Sequence, residues 1–277
     1  MLLGRFKING RTIQVDFSRT ESLAIPLDPH GRQPSFFASQ PAAAEPLRNG
    51  TYVGSVNAGG SCNAEIIRHA PHCHGTHTEG IGHLLPAADP VQNTIDNRPG
   101  LCRIISVHGT ASADCDEQYS INLPGEQRLI SYTEIRELLE PRNPDDYQAL
   151  IIRSLPNSKN KQYRNYSEQP AYPILSTQAL KWLASSKLVH LLVDMPSLDA
   201  TDDHGRLANH RTWWGIGDNI SIDPIFAATR SVTEMIFVSD HVEDGEYWLQ
   251  LQLSAIVSDA CSSRPMIYHL VATNENN

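Results

Sequence analysis

Ala149-Leu150-Ile151-Ile152-Arg153, Ser176-Thr177-Gln178-Ala179-Leu180-Lys181-Trp182-Leu183 and Leu188-Val189-His190-Leu191-Leu192-Val193-Asp194 follow one another in that order along the chain. The outer two are short, nearly continuous apolar runs, the pattern of strands buried on both faces. The middle one is a short amphipathic helix opened by a serine. A strand, helix, strand succession calls for a crossover connection, and with it an α/β sheet.

Outward from this unit, Arg103-Ile104-Ile105-Ser106-Val107 reads as a further strand, and Ser131-Tyr132-Thr133-Glu134 opens a helix with a capping-box pattern that continues through Leu139. Pro141, Pro144 and Asp145-Asp146 end it. Glu234-Met235-Ile236-Phe237-Val238 and the alternating run from Tyr247 to Val257 are expected to be strands. At the start, apolar alternation on both sides of Asn9-Gly10 predicts a hairpin. Residues 18–50 and 157–170 read as long loops, and no domain boundary stands out, so residues 1–277 are expected to form one mixed α/β domain.

Composition narrows the function. Hydrophobic residues make up 40% of the 277, enough to bury a continuous core, which excludes disorder as the main state. With 22 Lys+Arg against 31 Asp+Glu, a net charge of −9 and no basic run, nucleic acid is not an expected partner. No apolar stretch is long enough for a membrane span, and the opening Met-Leu-Leu-Gly-Arg-Phe lacks a signal peptide's apolar region, so a cytoplasmic location is expected. Cys62, Cys73, Cys102, Cys115 and Cys261 have no paired spacing and are expected to be reduced, with packing as the reading for Cys62 and Cys261.

Five of the twelve histidines lie between His69 and His83. Residues 72 to 83 read His-Cys-His-Gly-Thr-His-Thr-Glu-Gly-Ile-Gly-His, placing thiol, imidazole and carboxylate among three glycines. A lone histidine is more often polar surface than a ligand. The concentration of donors here points instead to a transition-metal site. In an extended segment His77 and Glu79 share one side, and a turn at Gly75 can bring Cys73 or His74 back towards them.

The stretch Cys73-His74-Gly75-Thr76-His77-Thr78-Glu79-Gly80-Ile81-Gly82-His83 resembles the signature H-x-G-T-H-x-D-x-P-x-H of the cyclase family, the metal-dependent hydrolases that include bacterial kynurenine formamidase and isatin hydrolase. Val193-Asp194-Met195-Pro196-Ser197-Leu198-Asp199, with His210 downstream, resembles the family's D-x-P-S-x-D then histidine pattern. Ser263-Arg264-Pro265 is only loosely similar to its terminal proline and arginine element. The resemblance implies the family's swivelling β/β/α fold and a homodimer or homotetramer. It also implies a divalent metal, zinc or manganese, as one or two ions.

Carried over by position, Cys73, His77 and Glu79 would be metal ligands and His83 the acid/base, while His210, with Glu234 as its carboxylate partner, would serve a second ion. Three departures matter: cysteine replaces the first histidine, glutamate the aspartate and isoleucine the proline. The first leaves a thiolate ligand or hands the role to His72 or His74; the second lengthens the carboxylate by roughly 1.5 Å.

Trp213 and Trp214 are candidates to line a pocket for a ring, with Phe36-Phe37 in the early loop as a further aromatic pair. Asp194 and Asp199 read as turn caps and His204 as solvated turn, with His204 a substitute for His210. The implied activity is hydrolysis of an amide, formamide or cyclic amide, as in an arylformamidase, on a small-molecule substrate through metal-activated water. The competing reading is an inactive family member that binds a small molecule or metal.

Overall fold

Four strands, β4 (Gly100–Val107), β5 (Ala149–Ser154), β6 (His190–Val193) and β7 (Ser231–Glu234), run parallel in the order β4-β5-β6-β7 at the centre of the computed structural model. The structure describes residues 2–37, 40–168, 171–217 and 222–271. Antiparallel strands extend both sides: β1 (Leu3–Ile8), β2 (Arg11–Ser22), β10 (Met266–Val271) and β8 (Gly245–Gln250) beyond β4, and β3 (His77–Glu79) and β9 (Ala260–Ser262) beyond β7. The resulting ten-stranded order is β1-β2-β10-β8-β4-β5-β6-β7-β3-β9. This is a mixed α/β fold with one large mixed sheet.

The strands are buried on both faces because their alternate residues serve two cores. Leu150, Ile152, Leu191 and Val193 pack with Ile135 and Leu139 of α1 (Tyr132–Leu139) and Leu180 and Leu183 of α2 (Thr177–Ala184). Ala149, Ile151 and Leu192 point the other way, against Ile104, Leu249 and Ile267. Two shorter helices, α3 (Ala208–Trp213) and α4 (Pro224–Thr229), follow β6.

Local chemistry accounts for the boundaries. Asn9 and Gly10 both have positive φ, 47° and 76°, the backbone of the tight hairpin turn that pairs Ile8 with Arg11. Ser131 Oγ accepts from Glu134 N at 3.1 Å and Ser176 Oγ from Ala179 N at 2.9 Å, capping α1 and α2. Glu134 does not complete a capping box; its carboxylate accepts from His108 N at 2.7 Å instead.

Several boundaries differ from expectation. The strand expected over residues 234–238 ends at Glu234, because Met235 takes a left-handed backbone, φ 51°, and its N–H donates to Met195 O. The run expected to reach Val257 stops at Gln250, where its partners on β4 and β10 end at Gly100 and Met266. The first long loop is shorter than expected, since β2 continues to Ser22 and Ala43–Pro46 pairs with Glu65–Arg68 in a two-stranded ribbon. Within the second, Lys159–Tyr163 forms a 3-10 turn, and residues 169–170 lie outside the described residues. Among the described residues no helix is long and apolar enough to cross a membrane.

His190 on β6 is fully enclosed, with Nδ1 at 2.9 Å from Ser231 Oγ and Nε2 at 3.1 Å from the Asp96 carbonyl. That carbonyl can only accept, so Nε2 carries the proton and Nδ1 accepts from the serine. Burial, partly opposed by the Asp96 charge, pushes the ring from 6.5 down to about 4. Between those values the unfolded chain binds a proton that the folded chain does not, so folding stability falls as pH drops through that window. The expected loss is about 3 kcal/mol. His190→Gln should flatten it, as read from urea midpoints between pH 7 and 4.

Candidate metal centre

The antiparallel entry of β3 between β7 and β9 builds the site. Its register sets His77 opposite Glu234 and Glu79 opposite Val232. His77 and Glu79, two residues apart, project on one face, whereas Thr78 projects on the other, 2.8 Å from Thr233 Oγ1. The preceding turn is held by Gly75, φ 78°, and by Thr76 Oγ1, which donates to Met235 O and accepts from Ile25 N at 2.8 Å.

His210 arrives from α3. Its Nδ1 lies 2.5 Å from Asp199 Oδ2, and Nε2 lies 2.8 Å from Glu79 Oε1 and 3.3 Å from Glu234 Oε1. Asp199 also accepts from Asn209 N at 2.7 Å and Tyr119 OH at 2.6 Å, so one carboxylate ties down the first turn of α3 and orients the ring it carries. His77 is held likewise: Nδ1 donates to Gly75 O at 3.0 Å, and Nε2 is 3.4 Å from Glu234 Oε2. In both rings one nitrogen is fixed by an acceptor and the other faces a carboxylate, the arrangement that orients a metal-binding imidazole.

Three buried atoms at this focus, His77 Nε2, Glu79 Oε1 and His210 Nε2, make no hydrogen bond. Their separations are short but their directions are wrong for bonding one another. Buried polar atoms left this way cost about 1–3 kcal/mol each, so they call for a common partner. Each of three overlapping sets, His72/His77/Glu79, Glu79/His83/His210 and His72/His83/Asp259, holds its ligand atoms within 4.8 Å of one another. Two imidazoles and a carboxylate suit a divalent metal, and these residues fit such an ion.

The electrostatics agree. Burial raises Glu79, but the neighbouring His210 and His72 rings, 2.8 and 2.9 Å away, outweigh it and hold the carboxyl well below its usual range. Burial lowers His210, while Glu79, Asp199 and Glu234 drive it well above the usual imidazole range. His72, between Asp259 (2.8 Å) and Glu79 (2.9 Å), is raised to about 10 against its own burial. The negative groups demand positive charge at this point, which a divalent cation would supply.

The structure brings together His72, His77, Glu79, His83, His210 and Glu234. It does not bring in Cys73, which sits at the end of the 3-10 turn Pro71–Cys73, joins none of the three sets and has its thiol raised by burial. His72, one residue earlier, faces Glu79 instead. His74 is occupied elsewhere: Nδ1 accepts from Ala70 N at 2.9 Å and Nε2 is 3.0 Å from Gln40 O.

His204 is exposed, 3.4 Å from Asp202, away from the cluster. Trp213 and Trp214 are fully buried and line neither the cavity beside α3 nor the one beside Tyr166 and Tyr172. Trp213 packs under the Arg230 guanidinium at 4.5 Å, and Trp214 stacks on His210 at 5.8 Å, supporting the ring from behind. Phe36 is core and Phe37 is exposed. Asp194 binds Ser154 N and Lys161 Nζ, at 2.9 and 2.7 Å. Asp259, which no motif signalled, is the residue sequence reasoning missed.

A mixed α/β sheet with a buried imidazole and carboxylate centre at the carboxyl end of its parallel strands defines the class. The chain belongs to the family described as "Putative cyclase", whose model matches residues 21–200. It is similar in structure to isatin hydrolase A from Ralstonia solanacearum (15% identity, TM-score 0.61, covering 92% of each chain). A predicted metal-dependent hydrolase from Bacillus stearothermophilus is also similar (14% identity, TM-score 0.57, 90% of this chain and 98% of that one). At these identities the likeness shows the fold. No curated protein matches the sequence.

Cys73 stands outside all three donor sets. Cys73→Ser should retain bound zinc or manganese after dialysis, while His72→Ala and His77→Ala should each weaken it by about tenfold or more. Elemental analysis, with thermal melts before and after chelator, checks this; metal lost from the serine variant and kept by His72→Ala would reverse the assignment.

Proposed function

We propose that the protein is a metal-dependent hydrolase that opens an amide, formamide or cyclic amide bond of a small molecule. The observation that carries this reading is the convergence of His77 Nε2, His210 Nε2 and Glu79 Oε1, buried and without hydrogen-bond partners. Family membership and likeness to isatin hydrolases, one of them bound to the product analogue thioisatinate, support it.

His72, His77, Glu79, His210 and Glu234 would hold one or two ions of zinc or manganese. When bound, such an ion lowers the pKa of water to about 7 and polarises a carbonyl. Asp199 accepts the Nδ1 proton of His210, so that an ion bound at the centre would take the place of the proton on Nε2. Glu234 accepts from Leu198 N at 2.8 Å, which fixes the carboxylate between the two rings.

His83 is the proton carrier. Its ring is a quarter exposed, with Nδ1 3.9 Å from Glu79 Oε2 and 3.5 Å from Asp259 Oδ2, so it touches both the centre and solvent. It can hand a proton to a leaving nitrogen and recover one from water, while Asp259 orients the ring. Cytoplasmic location and a homodimer or homotetramer belong to the same reading; light scattering tests the assembly.

Isatin and an N-formyl arylamine are the test substrates. The metal-loaded protein should hydrolyse at least one, and His83→Ala should lower kcat by about 10²–10⁴-fold with metal content unchanged. A folded protein that takes up no metal and hydrolyses neither would favour the non-catalytic binding module.

A further inference from the structure

On the opposite side of α3 from the His210 ring lies a cavity of about 450 Å³. Ser120, Thr177 and Lys181 of α2, Arg206, and Arg211 and Thr212 of α3 contribute to its wall, and no carboxylate lines it among the described residues. In a chain of net charge −9 that is a marked local excess of positive charge. Several cations elsewhere are paired with carboxylates, as in Arg11 with Glu246, Arg153 with Asp244 and Lys161 with Asp194.

Around this cavity they are not. Arg206 donates to the Ser120 carbonyl at 3.0 Å and Arg211 Nε to the Arg206 carbonyl at 3.0 Å. These contacts position the two guanidinium groups without neutralising them. The Lys181 ammonium has no hydrogen-bond or ion-pair partner among the described residues. Ser120 Oγ is buried and makes no hydrogen bond either. Three like charges around one concavity repel one another, and neutral hydroxyls from Thr177 and Thr212 add donors without relieving that repulsion.

We propose that this cavity is a binding site for a phosphate group, separate from the metal centre. A dianion matches three cations better than a carboxylate does, and guanidinium groups present planar pairs of donors suited to phosphate oxygens. Serine and threonine hydroxyls complete the donor set. The volume exceeds that of a phosphate ion, so a phosphate monoester with a small organic group is accommodated as well as free phosphate. Because Arg211 and Thr212 adjoin His210 on one helix, an anion held here rests on the element that carries that ring.

Calorimetric titration of the full chain with inorganic phosphate and with phenyl phosphate, against sodium chloride of equal ionic strength, tests the site. Binding of either supports it; tighter binding of the ester marks an ester site, and binding of inorganic phosphate alone marks a free-phosphate site. Lys181→Gln and Arg211→Gln should each weaken binding by about tenfold and the double variant by more, with melting temperature in chloride unchanged. Absence of phosphate binding overturns the proposal, as does binding unchanged in the double variant, which would place the anion elsewhere, including at a metal. Should the double variant melt lower, the two single variants decide by the same criterion.

Discussion

Asp199, Glu79 and Glu234 surround the His210 ring where water scarcely reaches, and much of the surrounding structure answers to that concentration of charge. Two carboxylates about 4 Å apart repel by about 4 kcal/mol even at an effective dielectric constant of 20. Such a group stays folded only if positive charge lies among the carboxylates and donors reach the oxygens that do not face it. The donors come from the main chain: Leu198 N to Glu234, and Asn209 N and His210 N to Asp199. These bonds hold the segment after β6 and the first turn of α3 against the ends of β6 and β7.

The sheet supplies rigidity for this arrangement. Its parallel strands are covered on both faces, so their carboxyl ends are fixed by two cores rather than one. The left-handed residue Met235 turns the chain out of β7 just after Glu234, leaving that side chain at the edge facing β3. Thr76 reaches Met235 O across the same edge, so the turn that presents His77 and the turn that releases Glu234 brace each other. Short hydrogen bonds between neighbouring turns are what let charged side chains point at a common spot without the backbone yielding.

Much of the fold was legible because its signals are local. The Asn9-Gly10 turn, the serines at 131 and 176 and the apolar runs of β5 and β6 each act within a few residues. Strand ends were less legible where they depend on partners: the alternation up to Val257 is genuine, yet no strand remains to pair with beyond Gln250. The same division holds at the site. His77 and Glu79 could be placed together by the period of a strand, whereas Asp259 reaches His72 across 187 positions, a distance no local pattern encodes. The paired tryptophans advertise a ring pocket by composition, but their burial is decided by packing beneath Arg230 and His210.

The two exchanges in the histidine-rich signature bear on one another. A cysteine stands at position 73 where the signature has an imidazole, and from the 3-10 turn Pro71–Cys73 it is His72, not the thiol, that joins the donor sets. Glutamate at 79 reaches roughly 1.5 Å further than aspartate. Its two oxygens divide between the sides, Oε1 towards His210 and Oε2 towards His72 at 2.9 Å. The longer acid thus contacts both His210 and the imidazole that stands one residue before the cysteine.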